Sequence, residues 1–358
     1  MIFTKVRIAT SVLVTIFTVT FVMNGFTQTN SQVPATTSTI KRPDSQMQAI
    51  LDSFTSLKPK PIETLSAPEA RRQPTFADAV NNLLRKRGTS NAPEPVSKVE
   101  NRVITGDKSK IAARIYTPTG NGPFPVIVYY HGGGWVIATI DTYDSSARAL
   151  ANAAKAIVVS VEYRKGPEYK FPTAHNDAFA AYRWVLANAR SFNGDPTKVA
   201  VAGESAGGNL AINVAISARD QEIQMPSHIV SVYPVANNNL NSPSMLENAE
   251  AKPLNRAMLP WFLDKYLEDQ GQSSDPRISI VEANLRGLPA TTLITDDIDP
   301  LRSEGMLLNE RLQAAGVQVD YKNYEGVTHE FFGTGAVNDK AKEAVAQAAK
   351  GLRQAFGN

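Results

Sequence analysis

The chain has 358 residues, of which 42% are hydrophobic, with a net charge of +3 at pH 7 and no cysteine. This length and apolar content suffice for one large domain with an accessory element. The small net charge, with basic residues scattered along the chain, gives nucleic-acid binding little support. The absence of cysteine excludes disulfides and a lipid-modified N-terminal cysteine.

The N-terminus has the layout of a secretory signal peptide. Lys5 and Arg7 precede a mostly apolar run over residues 8–23, which a polar stretch follows. A positive segment before a short apolar segment is typical of signal peptides. We predict a signal peptide over residues 1–27, a flexible linker rich in Thr, Ser and Pro over residues 28–43, and an exported, periplasmic or secreted mature chain. An uncleaved N-terminal anchor is the alternative, although this Thr-rich run is short for spanning a bilayer.

Residues 44–95 are predicted to form a separate helical region. Two helical segments, over residues 44–57 and 75–87, flank a proline-rich stretch. Asp78 in the first turn of the second segment is a typical start signal, and Gly88 after its basic end is a typical stop signal.

The remaining chain, residues 96–358, alternates strands with helices. Alternating β and α units predict a mostly parallel eight-stranded sheet flanked by helices on both faces, which is an α/β fold. The first two strands read as a hairpin. The predicted strands are residues 99–105, 111–116, 126–130, 156–161, 199–202, 229–233, 290–295 and 319–324. The predicted helices are residues 174–190, 206–218, 301–315 and 338–356.

Ser205 stands in a G-x-S-x-G pentapeptide between the fifth predicted strand and a predicted helix. In a nucleophile elbow, a strand ends, the chain turns sharply through a strained serine, and a helix begins. Gly203 and Gly207 suit this turn because it is too tight for a Cβ atom. The pentapeptide alone is a weak signal, since its residues are common.

A second glycine-rich motif follows the third predicted strand. His131 opens it, and Gly132, Gly133 and Gly134 follow. Three consecutive glycines leave backbone N–H groups bare, which a developing oxyanion requires. The amide after a nucleophilic serine, here that of Ala206, is a further donor in such sites. A merely flexible turn is the alternative, and the position of the motif ahead of the elbow disfavours it.

The serine needs a base, and four histidines are available. In hydrolases with such an elbow the chain order is serine, acid, histidine, which disfavours His131 and His175 because both precede Ser205. We expect His175 to be a partly exposed helix residue, and His228, directly before a strand, to have a structural role. His329 follows the last strand, at the sheet edge where open α/β sheets build their sites, and is therefore the predicted base.

The catalytic acid has three candidates at the correct edge of the sheet. Asp296, Asp297 and Asp299 all follow the seventh predicted strand and precede a helix. Pro300 favours an extended conformation at Asp299, which gives that residue a modest preference. The spacing alone leaves the three carboxylates open.

The segment 236–275 carries an aromatic stripe on a predicted amphipathic helix. We predict that this helix runs from residue 261 to just beyond residue 268, with Asp264 and Asp269 solvated. The apolar positions of the segment either pack in the core or line a substrate pocket, and the sequence leaves both readings open. These positions are Leu254, Met258, Trp261, Phe262 and Tyr266.

Together these motifs resemble the bacterial hormone-sensitive lipase family of α/β-hydrolase carboxylesterases. The resemblance implies that Asp299 is the catalytic acid and that Gly133, Gly134 and Ala206 donate to the oxyanion. It runs from about residue 44 to the C-terminus and rests on residues 131–135, 163–164, 166–168, 171–172, 203–209, 299–302 and 304–305, and on His329 and Phe331.

The resemblance also implies that residues 44–95 and the segment 236–275 form a helical cap over the site. The chain departs from the family's usual pattern at Lys165, where leucine is usual, at Ser303, where an acidic residue is usual, and at Glu330, where glycine is common. We expect these departures to affect substrate preference and local stability rather than the type of reaction.

The implied function is that of a serine carboxylesterase. Ser205, His329 and Asp299 would hydrolyse short- to medium-chain carboxylic esters through an acyl-enzyme intermediate. No metal or organic cofactor is expected, because the chain has no metal-ligand motif. The expected partner is a small-molecule ester, without nucleic acid or stable membrane insertion of the mature chain, and a homodimer is left open. The same triad could act on an amide, a lactone or in acyl transfer, whereas a non-catalytic binding protein on this fold is disfavoured by the presence of His329.

Overall fold

The computed structural model describes residues 1, 2, 4, 41–105 and 110–357. The chain divides into two units, Met1–Ile40 and Lys41–Asn358, and every element below belongs to the second. Nearly all of the predicted signal peptide and linker lies outside the described residues. Among the residues that are described, no helix is both long enough and apolar enough to cross a membrane.

Eight strands form a single sheet. They are β1 Lys98–Thr105, β2 Lys110–Thr117, β3 Phe124–Tyr130, β4 Ile157–Glu162, β5 Gly194–Glu204, β6 Ile229–Val232, β7 Thr291–Ile298 and β8 Val319–Thr328. The spatial order is β1-β2-β4-β3-β5-β6-β7-β8. β2 pairs antiparallel with both β1 and β4, and all other neighbours are parallel. The predicted mostly parallel eight-stranded sheet is confirmed.

Helices flank this sheet on both faces. In the described part of the chain they are α1 Ser45–Ser56, α2 Ala67–Ala70, α3 Phe76–Lys86, α4 Asp144–Ala154, α5 Thr173–Asn188, α6 Ala206–Asp220, α7 Pro243–Glu247, α8 Met258–Tyr266, α9 Arg302–Ala314 and α10 Asp339–Phe356. Short 3₁₀ turns occupy Ile62–Thr64, Ala189–Phe192, Gln270–Ser274, Ile280–Glu282 and Phe331–Thr334. The four helices predicted for the α/β region correspond to α5, α6, α9 and α10.

Two apolar cores lie on opposite faces of the sheet, and β3 contributes to both. Val126 and Val128 pack into the core that contains α5, α6, α8 and α9, whereas Ile127 and Tyr129 pack into the core that contains α1, α3, α4 and α10. Successive strand residues point to opposite faces, and every residue of β3 is buried. This continuous burial is what a central parallel strand covered on both sides requires.

α1 and α3 lie where the two N-terminal helical segments were predicted, and each begins at a side-chain cap. The Asp44 carboxylate accepts the Met47 N–H at 2.8 Å, and the Thr75 hydroxyl accepts the Asp78 N–H at 3.1 Å. Caps of this kind typically stabilise a helix by about 1 kcal/mol each. Gly88 follows the end of α3 with a φ of +65°, a conformation that glycine adopts without strain.

One helix prediction was wrong in its bounds, and one long helix was not predicted. The helix predicted from residue 261 begins earlier, at Met258, and ends at Tyr266. Asp269 therefore lies outside it and instead caps the following 3₁₀ turn by accepting the Gln272 N–H. α4 was not predicted at all, because Tyr143 at its start makes no side-chain cap and the helix has few large apolar residues. Its burial against the sheet, at Leu150 for example, stabilises it instead.

Candidate active site

Ser205 occupies a sharp turn between β5 and α6. Its backbone has φ 56° and ψ −120°, a region that a non-glycine residue rarely adopts. A Cβ atom on Gly203 would lie 2.1 Å from the Gly207 carbonyl oxygen, and one on Gly207 would lie 1.9 Å from the Tyr130 carbonyl oxygen. Both glycines are therefore required by contact distance, and the turn has the geometry of a nucleophile elbow.

The three residues predicted as a catalytic set lie in one hydrogen-bonded chain. The Ser205 Oγ is 3.0 Å from the His329 Nε2, and the His329 Nδ1 is 2.8 Å from the Asp299 Oδ2. The other Asp299 oxygen accepts the Leu301 N–H at 2.9 Å. Ser205, His329 and Asp299 are 5%, 3% and 0% exposed, so these three side chains are shielded from bulk water except where Ser205 and His329 meet the cavity described below.

The three neighbouring aspartates have different partners. Asp299 bonds His329, whereas Asp297 pairs with Lys41 and, at 3.2 Å, with Arg302. Asp296 is fully buried and lies against Asp299, which adds to the effect of burial in raising the pKa of Asp296. The geometry therefore singles out Asp299 as the carboxylate that orients the imidazole.

The glycine motif lies beside Ser205, at the end of β3. Gly133 and Gly134 have φ values of +93° and +58°, and a Cβ atom on Gly134 would lie 2.3 Å from the Phe262 ring. Both glycines and Ser205 line the same cavity. Ala206 is the first residue of α6, so its N–H has no partner within the helix, and the helix dipole adds positive potential there.

A cavity of about 510 Å³ opens at Ser205 and His329. Three residues of the aromatic stripe, Leu254, Met258 and Phe262, line it. Trp261 and Tyr266 do not line it: the Trp261 Nε1–H donates to the Leu65 carbonyl at 3.0 Å, and Tyr266 stacks on Trp135 at 5.1 Å. Leu254, Met258 and Phe262 therefore line the pocket, whereas Trp261 and Tyr266 pack in the core, so each alternative is correct for part of the stripe.

The family model for the alpha/beta hydrolase fold matches residues 127–333, more than half of the chain. That span contains the elbow, the glycine motif and all three residues of the hydrogen-bonded chain. The chain belongs to the α/β-hydrolase fold family. Its resemblance to the hormone-sensitive lipase branch of these hydrolases is confirmed by the relatives below.

Among curated relatives, carboxylesterase NlhH of Mycobacterium tuberculosis is 38% identical over 79% of this chain and 91% of its own length. Ethyl acetate hydrolase of Pseudomonas putida is 32% identical over 82% of this chain and 92% of its own length. Among solved structures, a hyperthermophilic esterase from Pyrobaculum calidifontis aligns with a TM-score of 0.80 at 33% identity, covering 89% of this chain and 100% of that one. Ester-hydrolase EH1AB1 from the metagenome of Lake Arreo, in complex with a bipyridine phosphonate derivative, aligns at 0.79 and 33%, covering 88% of this chain and 100% of that one.

Two further carboxyl groups of the hydrolase, those of Glu204 and Glu330, lie beside Ser205 and His329. The sequence did not predict that either group would affect the pKa of His329. Glu204, next to Ser205, accepts hydrogen bonds from the Tyr129 and Tyr233 hydroxyls. Burial raises the pKa of Glu204 to about 7. A buried acid next to the predicted nucleophile leaves no periodic signal in the sequence, because its partners come from other strands.

Glu330 follows His329 in a left-handed conformation, with φ 72°. This conformation costs a non-glycine residue roughly 1–2 kcal/mol, and such strain clusters at functional sites. The Glu330 carboxylate accepts the Tyr143 hydroxyl at 2.5 Å, and burial raises the pKa of Glu330. The departure from the usual glycine at this position therefore adds both strain and a carboxyl group beside the predicted base.

The pKa of His329 is set by opposing effects. Burial lowers it, but the Asp299 carboxylate, which also accepts the Nδ1–H, raises it, and Glu330 and Glu204 add to that increase. The net result is a pKa above the ordinary value of histidine. The Tyr233 ring, centred 4.5 Å from the imidazole, restricts the ring on one side.

The other three histidines are buried and hydrogen-bonded, and burial lowers the pKa of each to about 4. The prediction that His175 is partly exposed was wrong: it is 6% exposed, and its Nδ1 lies 2.9 Å from the Tyr266 hydroxyl. His175 is buried because α8 covers this part of α5. The Nε2 of His228 lies 2.9 Å from the Thr292 Oγ1, in keeping with the structural role expected.

One group of side chains in the described residues has metal-ligand spacing. Donor atoms of Asp296, Asp299 and His329 lie within 4.8 Å of one another. This donor set suits a metal poorly, because His329 and Asp299 already bond each other and because burial, reinforced by Asp299, raises the pKa of Asp296 well above its ordinary value. A protonated carboxyl is a poor ligand.

Glu330→Gln should move the titration of His329 to lower pH. The Glu330 carboxylate raises the pKa of the imidazole, so removing its charge while keeping the side-chain size lowers that pKa. The measurement is the pH dependence of the His329 ring-proton NMR signal, assigned by its loss in His329→Ala. Glu325→Gln, an equal charge change at an exposed position of β8, is the control and should leave the midpoint in place. An unchanged or higher midpoint in Glu330→Gln would contradict the coupling.

Proposed function

We propose that this hydrolase is a serine carboxylesterase that cleaves short- to medium-chain carboxylic esters. The observation that supports this proposal most strongly is a series of two hydrogen bonds. They join the Ser205 Oγ to the His329 Nε2 at 3.0 Å and the His329 Nδ1 to the Asp299 Oδ2 at 2.8 Å, beside a cavity that Gly133 and Gly134 also line. The esterase names of the most similar relatives support the same assignment.

His329 would act first as a base and then as an acid. With its Nδ1–H bonded to Asp299, its Nε2 is free to accept the Ser205 proton as the Oγ attacks the ester carbonyl. The imidazolium then gives that proton to the departing alcohol oxygen, which leaves an acyl group on Ser205. Water repeats the attack, and the carboxylic acid leaves. Asp299 stays ionised throughout and stabilises the imidazolium.

The negative charge that forms on the carbonyl oxygen needs donors that are already in place. We assign these to the amides of Gly133, Gly134 and Ala206, which lie at the ends of β3 and β5. Preorganised donors of this kind contribute about 3–4 kcal/mol each to transition-state stabilisation. Rigid glycine geometry at the loop and the first turn of α6 supply that preorganisation.

Removing any triad member should abolish most activity without unfolding the protein. Ser205→Ala and His329→Ala should each lower kcat/KM for a p-nitrophenyl ester by about a thousandfold or more, because triad members act as a unit. Asp299→Asn should also be severe. Asp297→Asn is the matched control, since its carboxylate pairs with Lys41 and Arg302, and it should stay within about tenfold of wild type. The reverse ranking of the two aspartate variants would contradict the assignment of the acid.

Long-chain lipid should be a poor substrate. Each buried methylene adds roughly 0.8 kcal/mol of apolar contact, but this gain ends once a cavity of about 510 Å³ is full. Rates on soluble short-chain esters should therefore far exceed those on emulsified long-chain triglyceride, measured by acid release at constant pH. Efficient hydrolysis of the emulsion would reject a closed site.

We further propose that the hydrolase is exported, on the basis of the basic, apolar and polar order of its first residues. Intact-mass analysis of protein from the native host should find a mature chain that begins near residue 28 beyond the cytoplasmic membrane. The full-length mass in a membrane fraction would favour the uncleaved anchor instead, and the same mass in the cytosol would reject export.

A further inference from the structure

Two cavities of unequal size meet at Ser205. The larger, of about 510 Å³, and a smaller one, of about 30 Å³, have four lining residues in common: Ser205, Gly134, Leu254 and Phe262. The nucleophile therefore lies at the junction, with Leu254 and Phe262 forming the partition. An ester bound for attack at Ser205 must place its two arms on different sides of this partition.

The position of His329 distinguishes the two arms. His329 lines the larger cavity and, among the described residues, is not part of the smaller pocket's lining. The leaving alcohol oxygen receives its proton from the imidazole, so the alcohol arm must lie on the histidine side. The acyl arm, which stays on Ser205, must point away from the imidazole.

We propose that the smaller pocket receives the acyl group and the larger cavity receives the alcohol, so that the substrates are esters of a short acyl group with a bulky alcohol. This inference rests on the proposed esterase function and narrows its substrate class. The size of the acyl group is then limited by the residues of the smaller pocket, and the size of the alcohol by the residues of the larger cavity.

The smaller pocket is nearly filled by apolar side chains. Met245 of α7, which is 1% exposed, lines it together with Leu240, Leu259 and Leu301. One water-sized group needs about 10–15 Å³ of such space, so 30 Å³ admits roughly two groups beyond the carbonyl carbon. Acetyl and propionyl groups meet this limit, whereas a hexanoyl chain must displace protein.

The chain supplies a matched pair of variants. Met245 lines the smaller pocket alone and Met258 lines the larger cavity alone, so the same Met→Ala change can be made on either side of the partition. The substrates are hexyl acetate and ethyl hexanoate, which are isomers with similar total apolar surface. They differ only in which arm is long.

Wild-type protein should hydrolyse hexyl acetate with a kcat/KM at least about tenfold above that for ethyl hexanoate, since even one methylene in excess of a pocket has an effect of this size. Met245→Ala should lower that ratio by about tenfold or more by admitting the hexanoyl chain. Met258→Ala should leave the ratio between the isomers near its wild-type value and change instead the relative rates on hexyl and cyclohexyl acetate. Leu240→Ala, at a partly exposed position of the smaller pocket, provides the same test if Met245→Ala does not fold.

A wild-type preference for ethyl hexanoate, or equal changes of the ratio in both methionine variants, would overturn the assignment of the two cavities. The esterase function itself would be overturned by a different result. In that case wild-type protein, shown to be folded by circular dichroism, would hydrolyse neither isomer and no acetate ester of any alcohol. The two failures are therefore distinguishable in one set of assays.

Discussion

The strained turn at Ser205 is the constraint on which the rest of the site depends. A φ of 56° at a serine persists only because Gly203 and Gly207 allow the start of α6 to pack directly against the end of β3. That close approach places Ser205, at the start of α6, beside the same cavity that Gly133 and Gly134 line. Strain at one residue thus fixes the relative positions of the proposed nucleophile and the proposed oxyanion donors before any substrate arrives.

Local sequence signals predicted this arrangement well because each part of it ends a parallel strand. Apolar runs marked the central strands, such as β3 and β5, and residues at the carboxyl ends of neighbouring parallel strands must meet at one edge. The choice among Asp296, Asp297 and Asp299 could not be made from spacing alone. It depends on the irregular register between β7 and β8 near Asp296 and on the cations that hold Asp297 away from the imidazole.

Features set by contacts between distant segments could not be predicted from the sequence. His175 occupies a polar-looking position of a helix, but α8, almost a hundred residues further on, buries it through Tyr266. Trp261 and Phe262 are adjacent and equally aromatic, yet only Phe262 reaches the cavity, because the Trp261 indole bonds the N-terminal region at Leu65. Periodicity assigns residues to an apolar face, but it does not say which neighbour that face meets.

The site also concentrates acids around one histidine, and burial determines what they do there. Burial disfavours the ionised form of a carboxyl group and therefore raises its pKa. Burial raises the pKa of Glu204 to about 7, and it raises those of Asp296 and Glu330 as well. Asp299 accepts the N–H groups of His329 and Leu301, one on each carboxylate oxygen, and these bonds hold it against the imidazole. If all of these acids were ionised, their field would oppose the oxyanion that forms at Ser205. A raised pKa makes each of these groups easier to protonate than an exposed carboxyl group, which lessens the negative charge beside Ser205, and a crowded acidic environment is thereby compatible with the proposed acyl transfer.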